Sequence, residues 1–177
     1  MQVTNFSLVN QAFAFASAIH GMVSDMNSMS TSAERLLREA LLTACAFHLR
    51  RAFHFYIREI ADRASLNNAG SISSLAELKQ LLTQSGFYSQ DLEELSELAE
   101  QKGSWLWQLQ LHSKEVMQSP PKEQEKKAFP QDNLILAVDL TAVDESAKLV
   151  LTSDLLRDWQ HAFRSLVLRQ RETGAEF

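Results

Sequence analysis

At 177 residues, with 17 Lys and Arg against 22 Asp and Glu, the chain is long enough for one domain over residues 1–177. Its formal charge of −5 excludes a broadly basic nucleic-acid coat, and five glycines and three prolines are too few for an all-β sandwich or a disordered low-complexity chain. The single cysteine, Cys45, permits neither an internal disulfide nor a cysteine-based zinc site, so a reducing, cytoplasmic compartment is expected.

The first predicted helix runs from Asn5 to Met26, with Phe6, Val9, Phe13, Ala16, Val23 and Met26 toward the core. Residues 6–23 are apolar and contain Ala16-Ser17-Ala18. However, no Lys or Arg precedes Arg35, and Asn10-Gln11 interrupt the run, so the segment reads as a helix of the folded protein and not as a leader. No apolar run is expected to reach the ~18–20 residues that cross a bilayer, and no membrane partner is expected. Thr31 followed by Glu34 forms a capping-box signature for a second helix that continues to Ala64 without Gly or Pro. Its ~32 residues would span roughly 48 Å, the spine of a bundle. Leu42, Cys45, Leu49, Phe53, Tyr56 and Ile60 form its inner face, flanked by Ala46 and Ala52.

Ser74 with Glu77 opens a short third helix that Gly86 closes. Ser89 starts a fourth with Leu92, Leu95, Leu98 and Ala99 inward, and Gly103-Ser104 stops it and restarts a fifth carrying Trp105, Leu106, Leu109, His112 and Val116. Pro120, Pro121 and Pro130 make residues 118–133 a linker or surface strap, and 134–138 a short apolar run that reads as a strand or an extended segment. Thr152-Ser153-Asp154 begins a terminal helix with Leu155, Trp159, Ala162, Phe163 and Leu166 inward. The expected fold is all-α: a bundle of five to six helices with a long central helix and a non-helical Pro-containing strap.

Four stretches together carry a resemblance. They are Asn10-Gln11 with Phe15-Ala16; Phe47-His48-Leu49 with Ala52 and Glu59-Ile60-Ala61; Glu94-Leu95, Glu97-Leu98-Ala99, Trp105-Leu106, Gln108-Leu109 and Pro120-Pro121; and Leu151-Thr152, Leu156, Trp159, Ala162, Leu166, Leu168-Arg169 and Arg171-Glu172. In this order the chain resembles an uncharacterised family of small gammaproteobacterial (pseudomonad-type) proteins known only as a domain of unknown function. The resemblance implies a bacterial, cytoplasmic protein and supplies no catalytic residues.

Motifs for chemistry are sparse. Asp158 and His161 form the one carboxylate–histidine pair at i, i+3, and the inner faces offer no di-iron set, so no metal or cofactor is expected. No GxGxxG, P-loop or Gly-x-Ser-x-Gly pattern occurs, and Cys45 sits mid-helix among apolar neighbours, so a non-enzymatic protein is expected. The long central helix suggests HEPN-like architecture, but Arg50 and Arg51 precede His54, and Arg157 precedes His161, too closely for the Arg-x4–6-His nuclease motif.

Two basic stripes stand out. Arg50, Arg51, His54 and Arg58 cluster on the outer side of the long helix, and Arg157, His161, Arg164 and Arg171 cluster on the last. They are either solvated faces paired with the acidic segment 91–100 or an anion site for phosphate or nucleic acid, a role for which Arg is better suited than Lys. Trp105 and Trp107, at i, i+2, cannot both face one core comfortably, which leaves Trp107 with Leu111 as either core or strap packing or a contact point for a partner. The leading expectation is a helical protein-interaction module with a protein partner, a homo-oligomer included. The alternative is a phosphate- or nucleic-acid-binding module.

Overall fold

A computed structural model describes residues 3–26, 31–118 and 149–174. Among them lie six α-helices and one 3-10 turn, and no strand: α1 (Asn5–Asp25), α2 (Ser32–Arg63), the 3-10 turn (Ala69–Ser71), α3 (Leu75–Gln84), α4 (Gln90–Glu100), α5 (Trp105–Met117) and α6 (Ser153–Gly174). Most of the predicted strap and the apolar run at 134–138 fall outside the described residues.

Local chemistry explains where the helices begin and end. Thr4, Thr31, Ser74, Ser89 and Ser104 each sit in extended backbone and accept an amide hydrogen bond at the first turn of α1 to α5. At Thr31 the box is complete: the hydroxyl accepts from the Glu34 amide at 3.2 Å, and the Thr31 amide donates to Glu34 Oε2 at 2.9 Å. Thr152 does the same for α6, accepting from Leu155 at 3.1 Å. Gly86 (φ +69°) leaves α3 through left-handed backbone, and Gly103 (φ +86°) takes the same conformation in the turn between α4 and α5, where a side chain would strain. We expect Thr31→Ala to destabilise the fold by about 1 kcal/mol and Thr31→Asp to leave it within a few tenths, measured by urea unfolding.

The spine α2 organises the rest. Asn5 Nδ2 donates to Asp62 at 2.8 Å, and the Cys45 thiol lies 3.5 Å from the Ala16 carbonyl, so α1 runs antiparallel along α2. On the other side α6 packs against α1, α2 and α5, while α3 and α4 close the end of the bundle. The core is continuous, with Phe163 at its centre and fully buried. Its ring packs edge-on to Phe13 at 4.9 Å and stacks on Trp105 at 4.9 Å, with Tyr56 and Phe53 at 6.0 and 6.2 Å. Trp105 is thereby the core member of the tryptophan pair.

Some inward expectations are corrected. Phe6 and Val116 are about half exposed and Ala162 is exposed, because each lies past the edge of its helix's packed arc. The expectation that no apolar run is long enough to cross a bilayer is corrected as well. By length and composition alone α1 is long and apolar enough to cross a membrane. Its Val9, Ala12, Phe13, Ala16 and Val23 are nonetheless buried against the bundle.

Candidate functional site

The arginine stripes do not merge into one surface. The α6 helix packs on the Tyr56 and Glu59 side of α2. At about 100° per residue, Arg50, His54 and Arg58 point roughly 120–160° away from Tyr56. The first stripe instead faces the segment that leads into α3. Arg58 Nε donates to the Ile72 carbonyl at 2.9 Å, His54 meets the Ser73 backbone, and Arg51 lies over the Phe55 ring at 5.3 Å. All four members, Arg50 included, are half-buried.

The second stripe is largely occupied. Arg157 is tied to Asp154 at 2.9 Å and to Asp158 at 3.4 Å. Arg171 is structural: Nε and Nη2 grip the two oxygens of buried Glu59 at 2.8 and 2.7 Å, Nη1 donates to Asn10 at 3.0 Å, and the guanidinium caps the Phe6 ring at 4.1 Å. His161 and Arg164 remain exposed. An anion site that needs both stripes contiguous and solvent-facing therefore loses its geometry.

The acidic helix pairs elsewhere too. In α4, Asp91 meets Arg63 at 3.1 Å, Glu93 meets Lys79 at 3.2 Å, and Glu94 meets Arg169, none of these cations belonging to a stripe. Between them sits buried Gln170, which sequence reasoning missed. Tyr56 Oη donates to its Oε1 at 2.6 Å, and its Nε2 donates to Glu94 at 2.8 Å and to the Asp91 carbonyl at 3.3 Å. Its own carbonyl accepts from Arg63 at 3.0 Å. Every polar group of that side chain is satisfied, so the network fixes the seat of α6 and leaves nothing free for a ligand.

Trp107 and Leu111 are half-buried and do not belong to the strongly exposed apolar side chains among the described residues. The proposed contact point at Trp107 therefore lacks the free surface it requires. Two other features hold the α5 and α6 elements in place: Trp159 Nε1 donates to Gln108 at 2.9 Å, and His20 Nε2 lies 3.0 Å from Ser153.

The exposed apolar surface is on α1. Gln11, Ala14, Phe15, Ala18, Gly21 and Met22 recur at helical spacing and are all exposed, and no charged residue occurs in α1 before Asp25. The face continues onto α2 through His48, whose ring sits edge-on to Phe15 at 5.3 Å and to Phe47 at 5.5 Å. Phe15, Met22 and Phe47 are 42%, 56% and 58% exposed. Sequence periodicity had marked the opposite, buried face of α1 and left this one unremarked.

Burial governs the titratable groups of α2. Burial pushes the Cys45 thiol up to about 11, which keeps it protonated and unreactive in the folded protein. His48 and His54 are held below the ordinary imidazole value, first by burial and then by Arg51 for His48 and by Arg58 and Arg50 for His54. The unfolded chain thus takes up protons that the folded chain refuses. These two histidines contribute stability fully above about pH 6.5, and it declines as pH falls from there toward their depressed folded values. We expect His48→Gln/His54→Gln to reduce the loss of urea midpoint between pH 7.5 and 5.5. An equal loss in the double variant and the parent would assign the pH dependence to other groups.

Among the described residues, no group of three or more His, Cys, Asp or Glu is placed to hold a metal. Comparison with curated proteins and with solved structures gives no match. A family model does match, over residues 22–177, which takes in the last turn of α1 and everything after it. The chain therefore belongs to DUF6586, a family of unknown function.

Proposed function

We propose that the protein is a non-enzymatic helical module that binds a protein partner through the outer face of α1, in a reducing compartment such as the cytoplasm. One observation carries this reading: a helix of 21 residues keeps one face packed and leaves the other exposed, apolar and without charge before Asp25. Surface helices of monomeric proteins normally place charged residues on such a face, so its absence of charge favours cover by another protein. Ala14, Ala18 and Gly21 allow close approach of a second helix, with Phe15 and Met22 as larger anchors. Packing of the opposite face onto α2 supports a protein contact over a bilayer-spanning role.

Photo-cross-linking in cells tests this, with benzoylphenylalanine placed at Phe15 and, as a control, at exposed Glu97. Discrete adducts from position 15 that vanish on Met22→Glu are expected, and mass spectrometry then identifies a second copy or another protein. Adducts no different from the Glu97 control would sink the reading. Flotation of the protein with phospholipid vesicles, lost on Met22→Glu, would replace it with membrane attachment.

A further inference from the structure

Arg50 shares with Arg51 a guanidinium held over a phenylalanine ring, and differs from it in the cavities it borders. Its guanidinium lies 5.3 Å from the Phe53 ring centroid, and no hydrogen-bond acceptor or carboxylate pairs with it among the described residues. It is half-buried, and burial without a counter-charge pushes its guanidinium below the ordinary value. Arg50 and Gln110 together border two cavities. One, of about 360 Å³, opens toward the start of α3. The other, of about 480 Å³, lies between α2 and α5; Ala46, Phe47, Val116 and Met117 are its apolar walls, and Lys114 also lines it. Phe47, Val116 and Met117 are 58%, 52% and 83% exposed. A cavity of this size with apolar walls and a few convergent polar groups has the form of a small-molecule site.

We propose that the cavity between α2 and α5 binds a small anionic amphiphile, a carboxylate with an aliphatic body. The carboxylate meets the Arg50 fork and the Gln110 amide, and the aliphatic body covers Phe47, Val116 and Met117. The planar Arg50 fork matches a carboxylate, and exposed Lys114 on the same lining adds positive charge that favours an anion. The apolar walls account for the aliphatic part, which a bare phosphate would leave uncovered. This site shares Phe47 with the edge of the α1 face, but Arg50 and Gln110 belong to the cavity and Met22 to the face, so Arg50→Gln and Met22→Glu test the two readings separately.

Isothermal titration of the full chain with decanoate, decanol and inorganic phosphate tests it. Decanoate is expected to bind saturably at one site, about tenfold more tightly than decanol, with phosphate weaker still. Arg50→Gln should weaken decanoate by about tenfold, whereas Arg51→Gln should leave it unchanged within about twofold. Because Phe47 and Met117 are exposed, Phe47→Ala/Met117→Ala preserves the fold and should also weaken decanoate, which decides the matter if Arg50→Gln does not fold. Decanoate that does not saturate, or that binds both variants like the parent, overturns the site. Decanol binding as tightly as decanoate overturns the role of Arg50, and phosphate binding as tightly overturns the aliphatic component.

Discussion

Arg171→Ala is expected to destabilise the protein by about 3–5 kcal/mol, because it leaves the Glu59 carboxylate buried without its counter-ion. The Arg171 and Glu59 side chains are only 15% and 7% exposed, and they meet through two short hydrogen bonds. Removing one partner costs the desolvation that the pair had offset, whereas removing both need not. Glu59→Leu/Arg171→Met should therefore recover most of the loss. Arg157 gives the contrast: with 50% of its side chain exposed and its partners Asp154 and Asp158 more exposed still, Arg157→Ala should change stability by no more than about 1 kcal/mol. Urea unfolding of the four proteins measures all of this. A loss below about 1 kcal/mol in Arg171→Ala would mean that water reaches Glu59 and that α6 is held by its apolar face and the Gln170 network without this pair.

Phe163→Ala is the second large effect, at about 3–5 kcal/mol, or roughly 6–20 °C in Tm for a chain of this size. Four aromatic rings converge on Phe163, contributed by α1, α2 and α5, so truncation opens a cavity that no single neighbour can fill. Phe163→Leu keeps most of the volume and should cost much less. The stacked contact at 4.9 Å also predicts a spectroscopic mark: Trp105 emission in the folded Phe163→Ala protein should differ from that of the parent. Unchanged emission together with a small loss of stability would show that the helices collapse onto the vacated space.

The two predictions concern α6 because the bundle depends on how that helix is seated. Its apolar stripe was legible in the sequence, since Trp159, Phe163 and Leu166 recur at helical spacing and all are buried. Its polar contacts were not. Glu59 and Arg171 are 112 residues apart, and Tyr56 and Gln170 are 114 apart. Nothing in a local pattern links such pairs. On the sequence, Arg171 belongs to an outer basic stripe; in the fold it reaches round to α2, and the stripe loses a member.

The surfaces show the same division. The outer face of α1 could have been found in the sequence as a run of uncharged positions between Gln11 and Met22, but periodicity drew attention to its inner face. Trp107 attracted notice for its bulk, and the helix then turned it half into the protein. Arg50 was grouped with Arg51, His54 and Arg58 by spacing alone. Only the neighbours of each separate them: Ile72 takes Arg58, Phe55 lies under Arg51, and the gap between α2 and α5 leaves Arg50 facing a cavity.

The sequence by itself determined the helices, because capping hydroxyls, left-handed glycines and apolar spacing act within one or two turns of the backbone. Thr31, Ser74, Gly86, Ser89, Gly103 and Ser104 each do in the structure what their local chemistry requires. Tertiary structure alone decided which charges are paired, which apolar face stays open and which arginine of the α2 stripe faces a cavity between helices. Those properties depend on the other helices that surround a side chain, and contacts across more than 100 residues leave no periodic trace in the chain.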